Sequence, residues 1–245
     1  MLTLYVDGKN ILFNTVVIIQ MRIFFIILLF FVFLINFSVH AFPIPKNNKA
    51  IYDIWRQNKI IGEHEILFSE NDGILNIETN IDIEVKIFFI TAYTFSHQSK
   101  EVWKNGKFMK INGYSDFEDE REYFIKGEVK DGFLFASGMD GELKLDKNLI
   151  PSNFWNIDVM YQDEIFDTQK GIVRKLDVKK VGKELITINN KKINCTKFIL
   201  NATRHPKDKD LFPEYTLWYS KNKELMKFQF KSTIDDKIIK FIRTE

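Results

Sequence analysis

From Gly73 to Phe89 apolar and polar residues alternate almost without a break. Leu75, Ile77, Thr79, Ile81, Ile83, Val85 and Ile87 hold the odd positions, and Asn76, Glu78, Asn80, Asp82, Glu84 and Lys86 the even ones. Successive side chains on a strand point to opposite faces, so the segment predicts one long strand with an apolar face and a wet face. Ordinary strands run to about five or six residues, and a longer one must twist and coil. Turn signals recur about every ten residues, the rhythm of a β-meander. They are Asn58-Lys59, Asn71-Asp72-Gly73, Asn105-Gly106, Asp131-Gly132, Asp140-Gly141, Gly182-Lys183, Asn189-Asn190, Lys221-Asn222 and Asp235-Asp236. Asn-Gly and Asp-Gly suit tight hairpins because both residues tolerate positive φ. The expectation is an all-β fold: a single antiparallel, strongly curved sheet or half-open barrel of long meandering strands, with an apolar concave side. A flat two-sheet sandwich is the alternative. A short helix is expected near 156–166, before the turn at Gln169-Lys170-Gly171.

The chain has 245 residues, 45% apolar and 28% charged, enough for a substantial core. Thirty-five Lys plus Arg against 33 Asp plus Glu leave a net charge of +2, which disfavours a grip on nucleic-acid phosphates. The one cysteine, Cys195, excludes an intramolecular disulfide and a cysteine-rich zinc site. Its strand-like setting, Ile193 to Phe198, reads as a small core residue rather than a nucleophile. No linker divides residues 50–245, which predicts a single β domain there, preceded by a polar leader over 42–49.

The N-terminus reads as an address. Arg22 precedes an uncharged apolar run from Ile23 to Val39, and Val39-His40-Ala41 ends in the small residue of a cleavage site. This is the three-part pattern of a secretory signal peptide, with Met21 as the start and the cut after Ala41. Residues 1–41 are therefore read as extension plus signal. The competing expectation is an uncleaved anchor, which would make this segment the membrane contact. Export without disulfides fits a periplasmic or secreted protein of a bacterial envelope.

Strand parity also places polar groups among apolar ones. On the odd positions from Tyr93 lie Tyr93, Phe95, His97, Ser99, Glu101 and Trp103. The same count on Ile60 to Phe68 groups Gly62 and His64 with Ile60, Ile66 and Phe68. A buried carboxylate must pair, protonate or meet water, so Glu101 beside an imidazole is expected to form a charge-assisted pair. His64, His97 and Glu101 are thus the catalytic candidates, and Tyr93, Phe95, Trp103 and Trp155 the ligand-binding ones. The alternative is that these groups satisfy one another, or the backbone, within the sheet. No metal or cofactor is expected: with His205 in a polar loop, at most two histidines and Glu101 converge, without ligand spacing. The acidic stretch Asp116 to Glu122 lacks the glycine and oxygen spacing of a calcium loop and reads as a solvated hairpin tip. No Gly-X-Ser-X-Gly elbow, phosphate loop or His-Glu-X-X-His is present. Trp55, Trp103, Trp155 and Trp218 read as packing residues rather than a base-stacking platform.

Several words of the sequence are shared with a known family. Tyr52-Asp53-Ile54, Ile61-Gly62-Glu63-His64, Tyr93 and His97, Glu101-Val102-Trp103-Lys104-Asn105-Gly106-Lys107, Asn153-Phe154-Trp155-Asn156, Gln169-Lys170-Gly171 and Trp218-Tyr219 together resemble the bacterial domain of unknown function 6134 family. A more distant likeness is to the 3108 family of exported β proteins. The resemblance implies an exported antiparallel β fold similar to the half-barrel of periplasmic lipoprotein carriers, and it implies no activity. Asp116 to Glu122 departs from it by lacking an Asp-Gly turn.

Three functions follow as expectations. The first is a binding or carrier module holding a lipid-like or amphipathic ligand on the concave face, in a pocket of at least about 300 Å³. The second is an enzyme using the inward His/Glu pair on a small metabolite. The third is a structural envelope protein pairing through a sheet edge. Nothing in the sequence sets the oligomeric state or names the ligand.

Overall fold

Five hairpins turn on residue pairs that accept positive φ: Gln57-Asn58 (47° and 63°), Asp72-Gly73 (49° and 73°), Asn105-Gly106 (50° and 78°), Asp131-Gly132 (49° and 82°) and Asn189-Asn190 (48° and 61°). These are the two-residue turns whose twist matches that of the strands they join. In the computed structural model, which describes Arg22 and residues 42–245 except 88, 119, 120, 147, 148, 210 and 234, they punctuate an all-β fold. The expected start at Met21, the apolar run Ile23–Val39 and the cut after Ala41 lie outside the described residues.

The first eight strands are β1 (Lys49–Arg56), β2 (Lys59–Asn71), β3 (Ile74–Ile87), β4 (Ile90–Lys104), β5 (Lys107–Phe117), β6 (Arg121–Lys130), β7 (Phe133–Gly138) and β8 (Gly141–Asp146). The remainder are β9 (Glu164–Asp167), β10 (Ile172–Ile188), β11 (Lys191–Ala202), β12 (Tyr215–Ser220), β13 (Leu225–Lys231) and β14 (Ile238–Arg243). They form one antiparallel sheet in the order β8-β7-β6-β5-β4-β3-β2-β1-β14-β13-β12-β11-β10-β9. Two meanders therefore meet where β1 pairs with β14, and β8 and β9 are the free edges. The single-sheet expectation holds, and the sandwich alternative does not.

A sheet of this many strands curls rather than lies flat. Five register shifts increase the local twist: at Ile54/Trp55, Val85/Lys86, Val102/Trp103, Lys180/Gly182 and Trp218/Tyr219. Two of them correct the sequence reading. Gly182-Lys183 is not a turn, because Val181 bulges out of β10 where Gly182 takes φ 138°, and the strand continues. Ile60, expected inward, pairs instead with the outward Trp55 beyond the first bulge and is exposed.

Curling brings the two edges together at one point. The Met139 N–H donates to the Lys170 carbonyl at 2.7 Å. A Cβ on Gly138 would lie 2.5 Å from Gly171 Cα, and Gly171 has φ +68°, so the crossing requires glycine on both sides. Beside it Arg174 donates to Asp167 (2.6 Å) and to both oxygens of Asp208 (2.7 and 3.0 Å), while Lys170 Nζ donates to Asp208 at 2.6 Å. Two buried acids thus balance two buried bases. Burial alone would raise the Asp208 carboxyl, but Arg174 and Lys170 hold it well below the usual range. His205 and Lys207 reach Asp140 at 2.9 and 2.8 Å, tying the 203–209 loop to the β7–β8 turn. The chain does not close into a barrel; these contacts latch the seam.

The link from β8 to β9 crosses the concave side. Trp155 meets Phe68 and Trp103 edge-on, Phe154 meets Tyr215 and Phe228, and the Tyr219 hydroxyl donates to the Phe154 carbonyl at 2.8 Å. Ile157, Val159, Met160, Ile165 and Phe166 join the same buried cluster. The helix expected near 156–166 is only a 3-10 turn, Ile157–Tyr161, whose cap Asn156 accepts from the Asp158 N–H. Asp163 and the pairing of β9 with β10 then draw the backbone into the sheet. The leader expected over 42–49 is polar only in part: Phe42 packs edge-on against Trp103 and Trp155, and Lys49 opens β1.

Candidate functional site

Hydrogen-bond register converts the alternation of β2 to β5 into layers on the concave side. His64 (β2), Ile81 (β3), His97 (β4) and Ser115 (β5) stand side by side in one layer. Ile66, Thr79, Ser99 and Gly113 form the next, and Phe68, Ile77, Glu101 and Ile111 the one after. Polar groups therefore run as a stripe up an otherwise apolar wall. The three catalytic candidates share this face and are all buried, at 8% exposure for His64, 1% for His97 and 1% for Glu101.

Sharing a face does not make them a pair. His64 and His97 lie two strands apart, roughly 10 Å between backbones, and Glu101 is four residues along β4 from His97, roughly 13 Å. The charge-assisted His–Glu pair expected from the sequence does not form. Glu101 Oε2 accepts from Trp103 Nε1 at 2.7 Å, and His97 Nδ1 shares a hydrogen bond with Ser115 Oγ at 2.8 Å. His64 is packed by rings, stacked on Tyr52 at 5.3 Å between centroids and edge-on to Phe228 and Phe241. The parity count was right about direction, but strand rise separated residues that a helix would have brought together.

Burial decides the charge of each group. It lowers the His64 imidazole to about 3, with the facing His97 adding to the effect. It lowers His97 to about 4, against the opposing pull of Asp167 and a backbone hydrogen bond with Tyr114. It raises the Glu101 carboxyl to about 8, and the Trp103 donor offsets that only in part. At neutral pH all three are uncharged.

The stripe is also short of partners. His64 Nδ1 and Nε2, His97 Nε2, Thr79 Oγ1, Ser99 Oγ and Glu101 Oε1 are buried with no hydrogen bond, as are Asn153 Nδ2 and Trp155 Nε1 on the covering segment. A folded protein leaves few buried polar atoms unpaired, and a concentration of them marks a place for water or a small molecule. Among the described residues no group of three or more His, Cys, Asp or Glu is placed to hold a metal ion.

The ligand-binding candidates divide between two ends. Trp103 and Trp155 touch each other at 5.6 Å and share the end occupied by Phe42, Phe68 and Phe108. Phe95 packs at a tilt against Phe117, 4.8 Å between ring centroids, at the opposite end, where Tyr93 packs against the same core. The concave side is not the open hollow expected for a lipid, because the 149–168 segment covers it. A groove of about 400 Å³ lies instead on the convex side, lined by Trp55, Gln57, Asn58, Ile238, Lys240 and Ile242. The Asp167–Arg174–Asp208–Lys170 cluster was missed in the sequence reading. Its signal was present: Arg174 sits in step with Ile172, Leu176 and Val178, on the inward parity of β10.

No curated protein matches the chain. Among solved structures it is similar to a β-barrel-like protein of domain of unknown function DUF1849 from Brucella abortus, at 11% sequence identity and a TM-score of 0.58. That match covers 80% of this chain and 95% of the other, and at this identity it speaks for the fold alone. The family model described as Domain of unknown function (DUF6134) matches residues 52–241, from the inward Tyr52 of β1 to the inward Phe241 of β14. The chain belongs to that family.

Proposed function

We propose that the domain is an exported envelope module that binds a small, uncharged, amphipathic molecule between the polar stripe of β2–β5 and the 149–168 segment. One observation carries the reading: eight unpaired polar atoms gathered in an interior whose walls are aromatic. Apolar walls with a few convergent polar atoms are the makeup of small-molecule sites. The His64 imidazole can donate and accept, His97 Nε2 can do one or the other according to its tautomer, and protonated Glu101 can donate through its free oxygen. Because burial keeps all three neutral, the site has no charge with which to offset a charged ligand. The covering segment limits the occupant to something smaller than a two-chain lipid.

Export rests on the pattern from Arg22 to Ala41, which directs the domain to the periplasm or the outside. The enzyme reading is not favoured, since the Glu101 carboxyl hydrogen-bonds Trp103 rather than an imidazole, and His97 hydrogen-bonds Ser115. Native mass spectrometry of the protein purified from the envelope of its own host tests both parts of the proposal. The expected result is a chain starting at Phe42 with a retained small molecule, lost in the Glu101→Leu, Ser99→Ala double variant. A chain starting at Met1 or Met21 would refute cleavage. A ligand-free protein whose high-resolution crystal structure shows only water on these atoms would refute the binding role.

A further inference from the structure

The longest hairpin of the first meander projects beyond its neighbours. Ile83 and Phe95 form the last rung with sheet partners on both sides, Gly62 on β2 and Phe117 on β5. Beyond it the rungs Glu84–Thr94, Val85–Tyr93, Lys86–Thr91 and Ile87–Ile90 have no ladder partner on either flank among the described residues. Four rungs extend the finger by about 13 Å. Its apex in sequence is Ile87-Phe88-Phe89-Ile90, and Phe89 is 100% exposed and Ile90 73% exposed. Most other turn apices in this chain carry Asn, Asp, Gly, Gln or Lys, so four consecutive large apolar residues in such a place run against the turn chemistry of the rest.

The surroundings say what kind of surface the finger meets. The same rim of the sheet exposes Ile60 beside the β1–β2 turn, Leu211 ahead of β12 and Ile238 at the start of β14. These apolar groups are separated by polar ones and form no continuous face for a shape-matched protein partner. Charges at the base of the finger and at the β13–β14 turn pair locally, Lys86 with Glu84 at 2.8 Å, Lys231 with Asp236 at 2.9 Å, and Arg56 with Asp235, while the β5–β6 tip beside the finger carries the acidic stretch Asp116 to Glu122, whose Glu118 accepts from the Thr94 N–H at 2.7 Å. That acidic neighbour repels a polyanion. Isolated apolar side chains on a projecting rim suit a fluid apolar phase that moulds itself around each of them.

We propose that the β3–β4 finger inserts Phe89 and Ile90 into the interfacial region of a lipid bilayer, seating this rim on the membrane. The inserted backbone is already hydrogen-bonded across the two strands, so only the turn itself must keep contact with headgroups and water. The attachment is weak and reversible, as for one short lipid chain, and the acidic β5–β6 tip makes it weaker on anionic than on zwitterionic lipid. It stands independently of any ligand on the concave side.

The test uses residues 42–245, which contain all fourteen strands and both apolar clusters and form one compact unit. Vesicles of phosphatidylcholine are mixed with the wild type and with a Phe89→Ser, Ile90→Ser double variant, and binding is read by flotation. Removing each side chain is expected to lower partitioning at least about ten-fold, and the pair about 100-fold. The thermal midpoint should change little, since Phe89 is fully exposed and Ile90 largely so. A Phe89→Cys variant labelled with a polarity-sensitive dye should shift to the blue on the same vesicles, while the buried Cys195 stays unlabelled. Equal flotation of wild type and double variant overturns the proposal, as does the absence of a dye shift. Concentration-dependent self-association that disappears in the double variant overturns it too, because the apex would then dock on a second copy.

Discussion

Glu101→Gln isolates the energetic consequence of burying a carboxyl group in the apolar interior of the sheet. Glu101 titrates near 8 in the folded chain against an ordinary 4.5. Between those values the unfolded chain is ionised and the folded chain is not, so stability falls as pH rises through that window. His64 and His97, at about 3 and about 4, lie below their ordinary 6.5, so their contribution rises with pH until about 6.5 and then stops. Two rising contributions outweigh one falling one up to pH 6.5, and above it the fall from Glu101 stands alone. These three groups therefore place a stability maximum near pH 6.5. From there to pH 8, at ~1.36 kcal/mol per pH unit, Glu101 removes ~2 kcal/mol. Glutamine has the shape of the protonated acid, keeps an oxygen for the Trp103 Nε1 donor and does not titrate. Urea unfolding at pH 6.5 and pH 8 should show the wild-type midpoint moving relative to the variant by roughly 1 M, taking an m-value of about 2 kcal/mol/M. Taking the difference between the two proteins cancels every other titrating group. Parallel profiles over this range would show that Glu101 is ionised in the folded state, and that the interior is wetter than its burial indicates.

Three other perturbations follow from the seam and the stripe. Gly138→Ala forces a methyl group against Gly171 Cα and the Lys170 carbonyl, both 2.5 Å away, and should cost about 2–3 kcal/mol in chemical unfolding; a loss below about 0.5 kcal/mol would mean the edges can part freely. Asp208→Asn leaves Lys170 and Arg174 sharing one carboxylate in the interior and should cost about 3–5 kcal/mol, with thermal melts run alongside Asp140→Asn, whose exposed partners should matter by no more than about 1 kcal/mol. Trp103→Phe removes the donor that favours the ionised form of Glu101, so the alkaline fall in stability should extend above pH 8 in the same unfolding assay; an alkaline limb moved downward would contradict the hydrogen bond.

The inward polar stripe was legible in the chain because period two is a local property. Thr79, His97, Ser99 and Glu101 needed only their parity to be placed among Leu75, Ile77, Ile81 and Trp103, and the structure buries them together. Parity fails where a bulge inserts a residue, as at Ile60, and a turn signal fails where its glycine serves a bulge, as at Gly182, since a bulge is chosen by how neighbouring strands must twist. The pairing of Glu101 with an imidazole failed for another reason. Partners on a strand are the residues across the ladder, and the register supplied Ile77 and Ile111 at Glu101 and Ser115 at His97.

Local chemistry alone determined that this chain forms hairpins, which faces are apolar and which polar groups point inward, because turn propensity and alternation act over a few residues. Tertiary structure decided the rest: that β1 pairs with β14, that Gly138 meets Gly171, that Asp208 finds Arg174, and that the 149–168 segment covers the concave side. Those contacts join residues far apart in the chain, and their energies exist only once the sheet has curled enough to bring its edges within reach.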